Sequence, residues 1–198
     1  MKNLLLLLAV TAIPSVSLKA QGTVNFANSD TTRVRFSTNA GATSGNIPVG
    51  STAWVAGLYW GPLGTAEGSL NLLGTTMTWQ PISGVFNGGT LTVPSTPGGT
   101  RITFQVRAWS AGYASYETAA AALAAGNQSV LVGKMLGLGT VTLGGQGTPA
   151  ALPGGLVNSP TPTDTPMTGF TVVGVPEPST IALGLLGLGA IALFRRRK

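Results

Sequence analysis

Arg101-Ile-Thr-Phe-Gln-Val-Arg-Ala-Trp109 alternates polar and apolar side chains along its whole length. In an extended chain successive side chains point to opposite faces. Ile102, Phe104, Val106 and Ala108 therefore share one face, and Arg101, Thr103, Gln105 and Arg107 share the other. This is the pattern of a strand half buried against a core. The same period recurs on either side. Thr23–Ala27 puts Val24 and Phe26 together, and Arg33-Val-Arg-Phe36 alternates charge with apolar bulk. Ala53–Trp60 is apolar on both faces, which suits a central strand covered on both sides. Asn87-Gly88-Gly89, set between Val85-Phe86 and Thr90–Val93, predicts a hairpin turn. Val141–Leu143 and Phe170–Val173 are further strand segments. One helix is expected, over the alanine-rich stretch from Ser115 as cap to Gly126 as stop, and it is too short to stand without leaning on a sheet. Many short strands with Gly and Pro turns predict an all-β fold: an antiparallel β-sandwich of about seven to nine strands with one short helix.

The chain divides by composition. Residues 1–20 read as a signal peptide, 21–143 as the β-sandwich domain and 144–169 as a Gly/Pro/Thr-rich segment. Residues 170–175 read as a last strand or tether, and 176–198 as a sorting segment. The 144–169 stretch is expected to be an extended loop that packs partly through Leu152, Leu156 and Val157, with Thr161, Thr163 and Thr165 exposed on a polyproline-like tether.

Composition removes several chemistries. The 198 residues include no Cys and no His. Disulfides, Cys/His metal sites, Cys–His nucleophiles and Ser–His–Asp triads are thereby excluded. The net charge of +6 belongs to the ends. Between residues 21 and 175, Arg33, Arg35, Arg101, Arg107 and Lys134 face Asp30, Glu67, Glu117 and Asp164, a balance of +1. No basic groove for nucleic acid is implied. The four acids are widely spaced and read as solvated surface groups rather than a glycosidase pair. No cofactor or metal is expected. Aromatic side chains are the remaining lead. Most should fill the core, but Trp109 falls on the polar parity of its strand, beside Tyr113 and Tyr116. These three are the candidate contacts for a glycan.

Both ends read as targeting signals. Lys2 precedes the apolar run Leu4–Ile13, and Pro14 and Ser15 break it. Ala20 then stands before a cleavage bond to Gln21, with Leu18 at minus three larger than the small-residue ideal. At the other end Val175-Pro176-Glu177-Pro178 is followed by Thr180–Phe194, which has no charge, and then by Arg195, Arg196, Arg197 and Lys198. A helix of that length is somewhat short of a ~30 Å hydrocarbon core, but snorkelling arginines and local thinning make one crossing feasible. The basic cluster should stay in the cytoplasm, which puts the body outside. The two prolines hold the preceding peptide extended, in a form that an enzyme can grip.

The combination in Pro176–Lys198 resembles the PEP-CTERM family of exported bacterial proteins. The resemblance implies export into a Gram-negative-type envelope and processing near the motif by an exosortase, a membrane cysteine protease-transpeptidase. It further implies an inner-membrane precursor and a final place at the cell surface or in the extracellular matrix. The bland alternative is a permanent single-span anchor. The body also resembles a recurrent domain of such proteins, through Gly22-Thr-Val-Asn-Phe, Ala56-Gly-Leu-Tyr-Trp-Gly-Pro-Leu-Gly-Thr, Phe86-Asn-Gly-Gly-Thr and Gln105-Val-Arg-Ala-Trp; no activity attaches to it. The expected function is that of a non-enzymatic exported envelope protein, partnered transiently by the Sec translocon and exosortase. The alternative is a carbohydrate-binding module that holds exopolysaccharide on exposed aromatics.

Overall fold

The computed structural model describes residues 21–38, 43–127, 129–145, 152–158 and 161–174. Eleven strands and one α-helix are present there: β1 Gln21–Ala27, β2 Val34–Thr38, β3 Thr43–Asn46, β4 Trp54–Pro62, β5 Asn71–Thr76, β6 Asn87–Pro97, β7 Arg101–Ser110, α1 Tyr116–Ala124, β8 Val132–Lys134, β9 Gly139–Thr142, β10 Gly154–Gly155 and β11 Phe170–Val173. A single 3-10 turn spans Glu67–Ser69. Among the described residues the fold is all-β with one helix, as expected.

A small sheet runs β10-β1-β6, and a large one runs β3-β2-β11-β8-β7-β4-β5, with β9 on the same edge of β7 as β8. The two sheets enclose a shared core. Val24 and Phe26 of β1 and Val93 of β6 meet Ala56 and Leu58 of β4 and Ile102, Phe104, Val106 and Ala108 of β7. Phe26, Phe86 and Phe104 are fully out of solvent. Burying such a ring contributes roughly 1.5–3 kcal/mol of transfer free energy.

Three expectations need correction. The sheets are mixed rather than wholly antiparallel, because β10 pairs in parallel with β1 and β11 pairs in parallel with β2. Both parallel strands come from the chain beyond residue 143, which returns across the body, and Phe170–Val173 is a last strand, one of the two forms expected for it. The sandwich therefore extends to Val173. Leu156 and Met167 are buried in the core, although Leu152 is 87% exposed. Asp164 fastens this return: its carboxylate accepts from the Thr142 backbone N–H at 2.8 Å and from Arg101 Nε at 2.9 Å. Thr163 and Thr165 are exposed as expected, while Thr161 is half-buried.

The third correction concerns Asn87-Gly88-Gly89. It is no hairpin turn but the start of β6, where the register against β1 slips between Asn25 and Ala27. A Cβ on Gly88 would lie 2.3 Å from Phe26 Cδ1, and Gly89 has φ +73°. Two glycines let the bulge form against a core ring and bend the strand, where a hairpin would have reversed it.

β4 is covered on both sides, as its sequence predicts. Ala56 and Leu58 face the sandwich core, and Val55 and Tyr59 face a second cluster beneath α1. The helix starts at Ser115, whose Oγ accepts from Thr118 N while Thr118 Oγ1 accepts from Ser115 N, a reciprocal cap. Ala119 and Leu123 then dock on the sheet.

Candidate functional site

The site expected at Trp109 is closed. Trp109 is 0% exposed. Its ring lies over Gly57, where a Cβ would come within 2.7 Å of two ring carbons. Its Nε1 donates to the Tyr113 carbonyl at 2.9 Å. Val55 and Val132 flank it on the neighbouring strands, and Ala119, Leu123 and Val130 complete the cover. Trp109 is thus a core residue of the second cluster rather than a sugar platform. Tyr113 and Tyr116 are half-buried; the Tyr113 hydroxyl accepts from Asn127 Nδ2 at 3.1 Å. The correction has a signal in the sequence. The expected helix had to lean on some sheet face, and a β4 that is apolar on both sides already required a second layer over its neighbour β7.

Beneath that layer the polar parity of β7 is buried as well. Thr103, Gln105 and Arg107 are 3%, 0% and 6% exposed. Arg107 is held from every side. Its Nη1 donates to Glu117 Oε1 at 2.7 Å, its Nη2 to the Glu67 carbonyl at 2.9 Å and its Nε to Gln105 Oε1 at 2.9 Å. Its guanidinium carbon stands 4.0 Å from the Tyr59 ring centre and 5.3 Å from that of Tyr116. Gln105 Nε2 in turn donates to the carbonyls of Met135 and Gly137. The Tyr59 hydroxyl donates to Glu117 Oε2 at 2.9 Å. Burial, then Glu117's hydrogen bond and charge, push the Tyr59 hydroxyl up to about 12. For Glu117 desolvation works upward, but hydrogen bonds from its own backbone, Ser115 and Tyr59, with the charge of Arg107, hold it below the usual carboxylate range. Glu67 is held low chiefly by its hydrogen bond from Lys134.

Three of the four body acids are therefore ion-paired rather than simply solvated: Glu117 with Arg107, Asp164 with Arg101 and Glu67 with Lys134. The Asp164 side chain is wholly buried. Among the described residues no group of three or more acids could hold a metal, and no buried side-chain polar atom lacks a partner. This arrangement fastens α1 and the 3-10 turn onto the sheet.

The targeting residues lie mostly outside the described residues: Leu4–Ile13 and Ala20 at one end, Val175, Pro176, Glu177, Pro178, Thr180–Phe194 and Arg195–Lys198 at the other. Among the described residues no helix is long and apolar enough to cross a membrane. What is described is where each of these stretches meets the body. Gln21 opens β1 and pairs with Pro97. Val173 ends β11, which lies between β2 and β8, and the Gly174 N–H still donates to the Ser37 carbonyl at 3.4 Å. Residue 175 follows directly.

Fold and border together define an all-β body joined without a spacer to a C-terminal extension. That extension is a PEP-CTERM protein-sorting motif, matched at residues 174–198. The match begins at Gly174, where the sheet ends. The motif implies export, sorting by an exosortase and a surface or extracellular destination. No curated protein and no solved structure matches the chain.

Proposed function

We propose that this chain is a non-catalytic envelope protein delivered as a membrane-held precursor and cut from its tail. In this reading the Sec route exports it and a signal peptidase cuts between Ala20 and Gln21. Thr180–Phe194 then hold the precursor in the inner membrane with Arg195–Lys198 on the cytoplasmic side, until exosortase cuts near Pro176–Pro178. The observation that carries the reading is the sorting motif at 174–198, set directly against the last strand of the body. The non-catalytic part is supported by the pairing of the charged groups: Glu117, Asp164 and Arg107 are each committed to a structural partner.

Intact mass of native surface material tests the proposal. The expected species starts at Gln21 and lacks Arg195–Lys198. Retention of Lys198 would overturn processing in favour of a permanent anchor. Glu177→Ala combined with Pro178→Ala should leave precursor in the inner membrane fraction.

A further inference from the structure

Helix α1 covers only part of its face of the large sheet. Val132 of β8 lies under that layer, and Val132 pairs with Val173 of β11. Beyond β11 the same face continues across β2 and β3, where no described residue covers it. There Asn46, Arg35 and Thr171 lie side by side on three adjacent strands, and Ser44, Ser37 and Val173 form the next row. The face carries an open trough in two segments of about 560 and 470 Å³ that share Arg35, Asn46 and Thr171. Arg33 and Asp30 close one end, Arg33 Nε donating to the Asp30 carbonyl at 3.0 Å.

Arg35 is the unusual member. The side chains of Arg107 and Arg101 are bonded into the fold, whereas that of Arg35 is exposed and makes no hydrogen bond or ion pair among the described residues. Its planar fork of N–H donors matches a carboxylate. Around it stand groups that both donate and accept: the hydroxyls of Ser37, Ser44 and Thr171 and the amide of Asn46. Those are the partners that ring hydroxyls need. The trough is too open and too polar to anchor an apolar peptide side chain. Asp30 beside Arg33 at its end, and a body charge of only +1, oppose a polyanion as densely charged as a nucleic acid. A continuous trough along paired strands suits a linear chain.

We propose that this trough binds a carboxylate-bearing oligosaccharide, with Arg35 taking the carboxylate and Asn46, Ser37, Ser44 and Thr171 taking sugar hydroxyls. The site owes nothing to Trp109, and it stands or falls independently of tail processing.

Calorimetric titration of the full chain in detergent tests it with four probes: oligogalacturonate, a neutral maltooligosaccharide of equal length, poly-glutamate and inorganic phosphate. Oligogalacturonate should bind, and more weakly as salt rises. Arg35→Gln should weaken it at least about tenfold, the loss of one charge-assisted fork. Arg35→Lys, which keeps the charge and loses the fork, should also weaken it. Lys134→Gln, a surface cation on another element, should leave it unchanged. Because Arg35 is exposed and unbonded, both Arg35 variants should melt with the parent. No binding of oligogalacturonate overturns the proposal, as does equal binding by Arg35→Gln. Equal binding of poly-glutamate or phosphate reduces the trough to a general anion site, and equal binding of the neutral sugar removes the role of the carboxylate. Each of these results defeats the assignment while leaving the mass of the processed protein untouched.

Discussion

Phe104 and Arg107 stand on opposite faces of β7, and both are almost wholly withdrawn from water. The first is surrounded by apolar side chains of two sheets. The second is surrounded by a carboxylate, an amide oxygen, a carbonyl and two aromatic rings. Burial on the first face follows from removing hydrocarbon from water, which is non-directional and tolerates approximate shape. Burial on the second is possible only because each donor has a partner, since an unpaired buried polar group costs about 1–3 kcal/mol. A strand of strict polar–apolar alternation can thus be covered on both sides when a small helix, a turn and the strand itself supply the right acceptors.

Truncating the apolar face should have the largest effect. Phe104→Ala leaves a ring-sized void against Gly139 and should cost about 3–5 kcal/mol, read from urea unfolding. A loss below about 1 kcal/mol would mean that the two sheets do not pack tightly there. On the polar face Arg107→Met keeps the stem and removes the donors. Gln105 Oε1 then lacks its partner and the Glu67 carbonyl keeps only the Leu70 N–H at 3.4 Å, while Glu117, 55% exposed on its side chain, can hydrate. A cost of about 2 kcal/mol is expected. Wild-type stability with Met there would show that the network is ornament and would break the comparison.

Alkali sharpens it further. A tyrosine in the unfolded chain ionises near 10, whereas Tyr59 in the fold holds its proton to about 12. Between those values the folded state binds more protons, so its stability is complete below about pH 10 and falls as pH rises towards 12, by up to about 2 kcal/mol. Urea midpoints from pH 9 to 11 should show this slope, and Tyr59→Phe should flatten it. At the acid end Glu117 and Glu67, both held low, contribute stability that is present above the ordinary carboxylate pKa and lost as pH falls below it. The smallest effect belongs to the helix end. Ser115→Ala removes the cap of α1 and should cost about 1 kcal/mol by thermal unfolding, with the sandwich core unchanged.

The alternation over Arg101–Trp109 was sufficient to place β7 and its core face, and the two apolar faces of Ala53–Trp60 were sufficient to show that β4 is covered on both faces, though it lies next to the edge strand β5. Local pattern carries such information because side-chain direction in a strand depends only on parity. It does not carry what lies across the sheet. Trp109 and Arg107 look solvent-facing in the sequence because their cover, α1 and the turn at Glu67–Ser69, is brought there by tertiary packing. The parallel pairings of β10 and β11 were illegible for the same reason, since their partners stand far back in the chain. Asn87-Gly88-Gly89 misled in another way: the glycines that permit a hairpin permit a bulge equally well, and Phe26 decides between them. The trough at Arg35 left no trace, because Asn46 and Thr171 meet it only through pairing. The sorting motif, by contrast, is a linear signal and was recognisable from its residues alone.

β11 lies beside β2 in the same direction, matched from Phe170 against Val34 to Val173 against Ser37. Traction directed along the axis of β11 enters that strand through Gly174. It loads those ladder bonds side by side, in shear, instead of peeling them one after another. A body hauled by its C-terminus is thus gripped lengthwise within its own sheet, and the bond between freight and tow-line should outlast the pull that moves it.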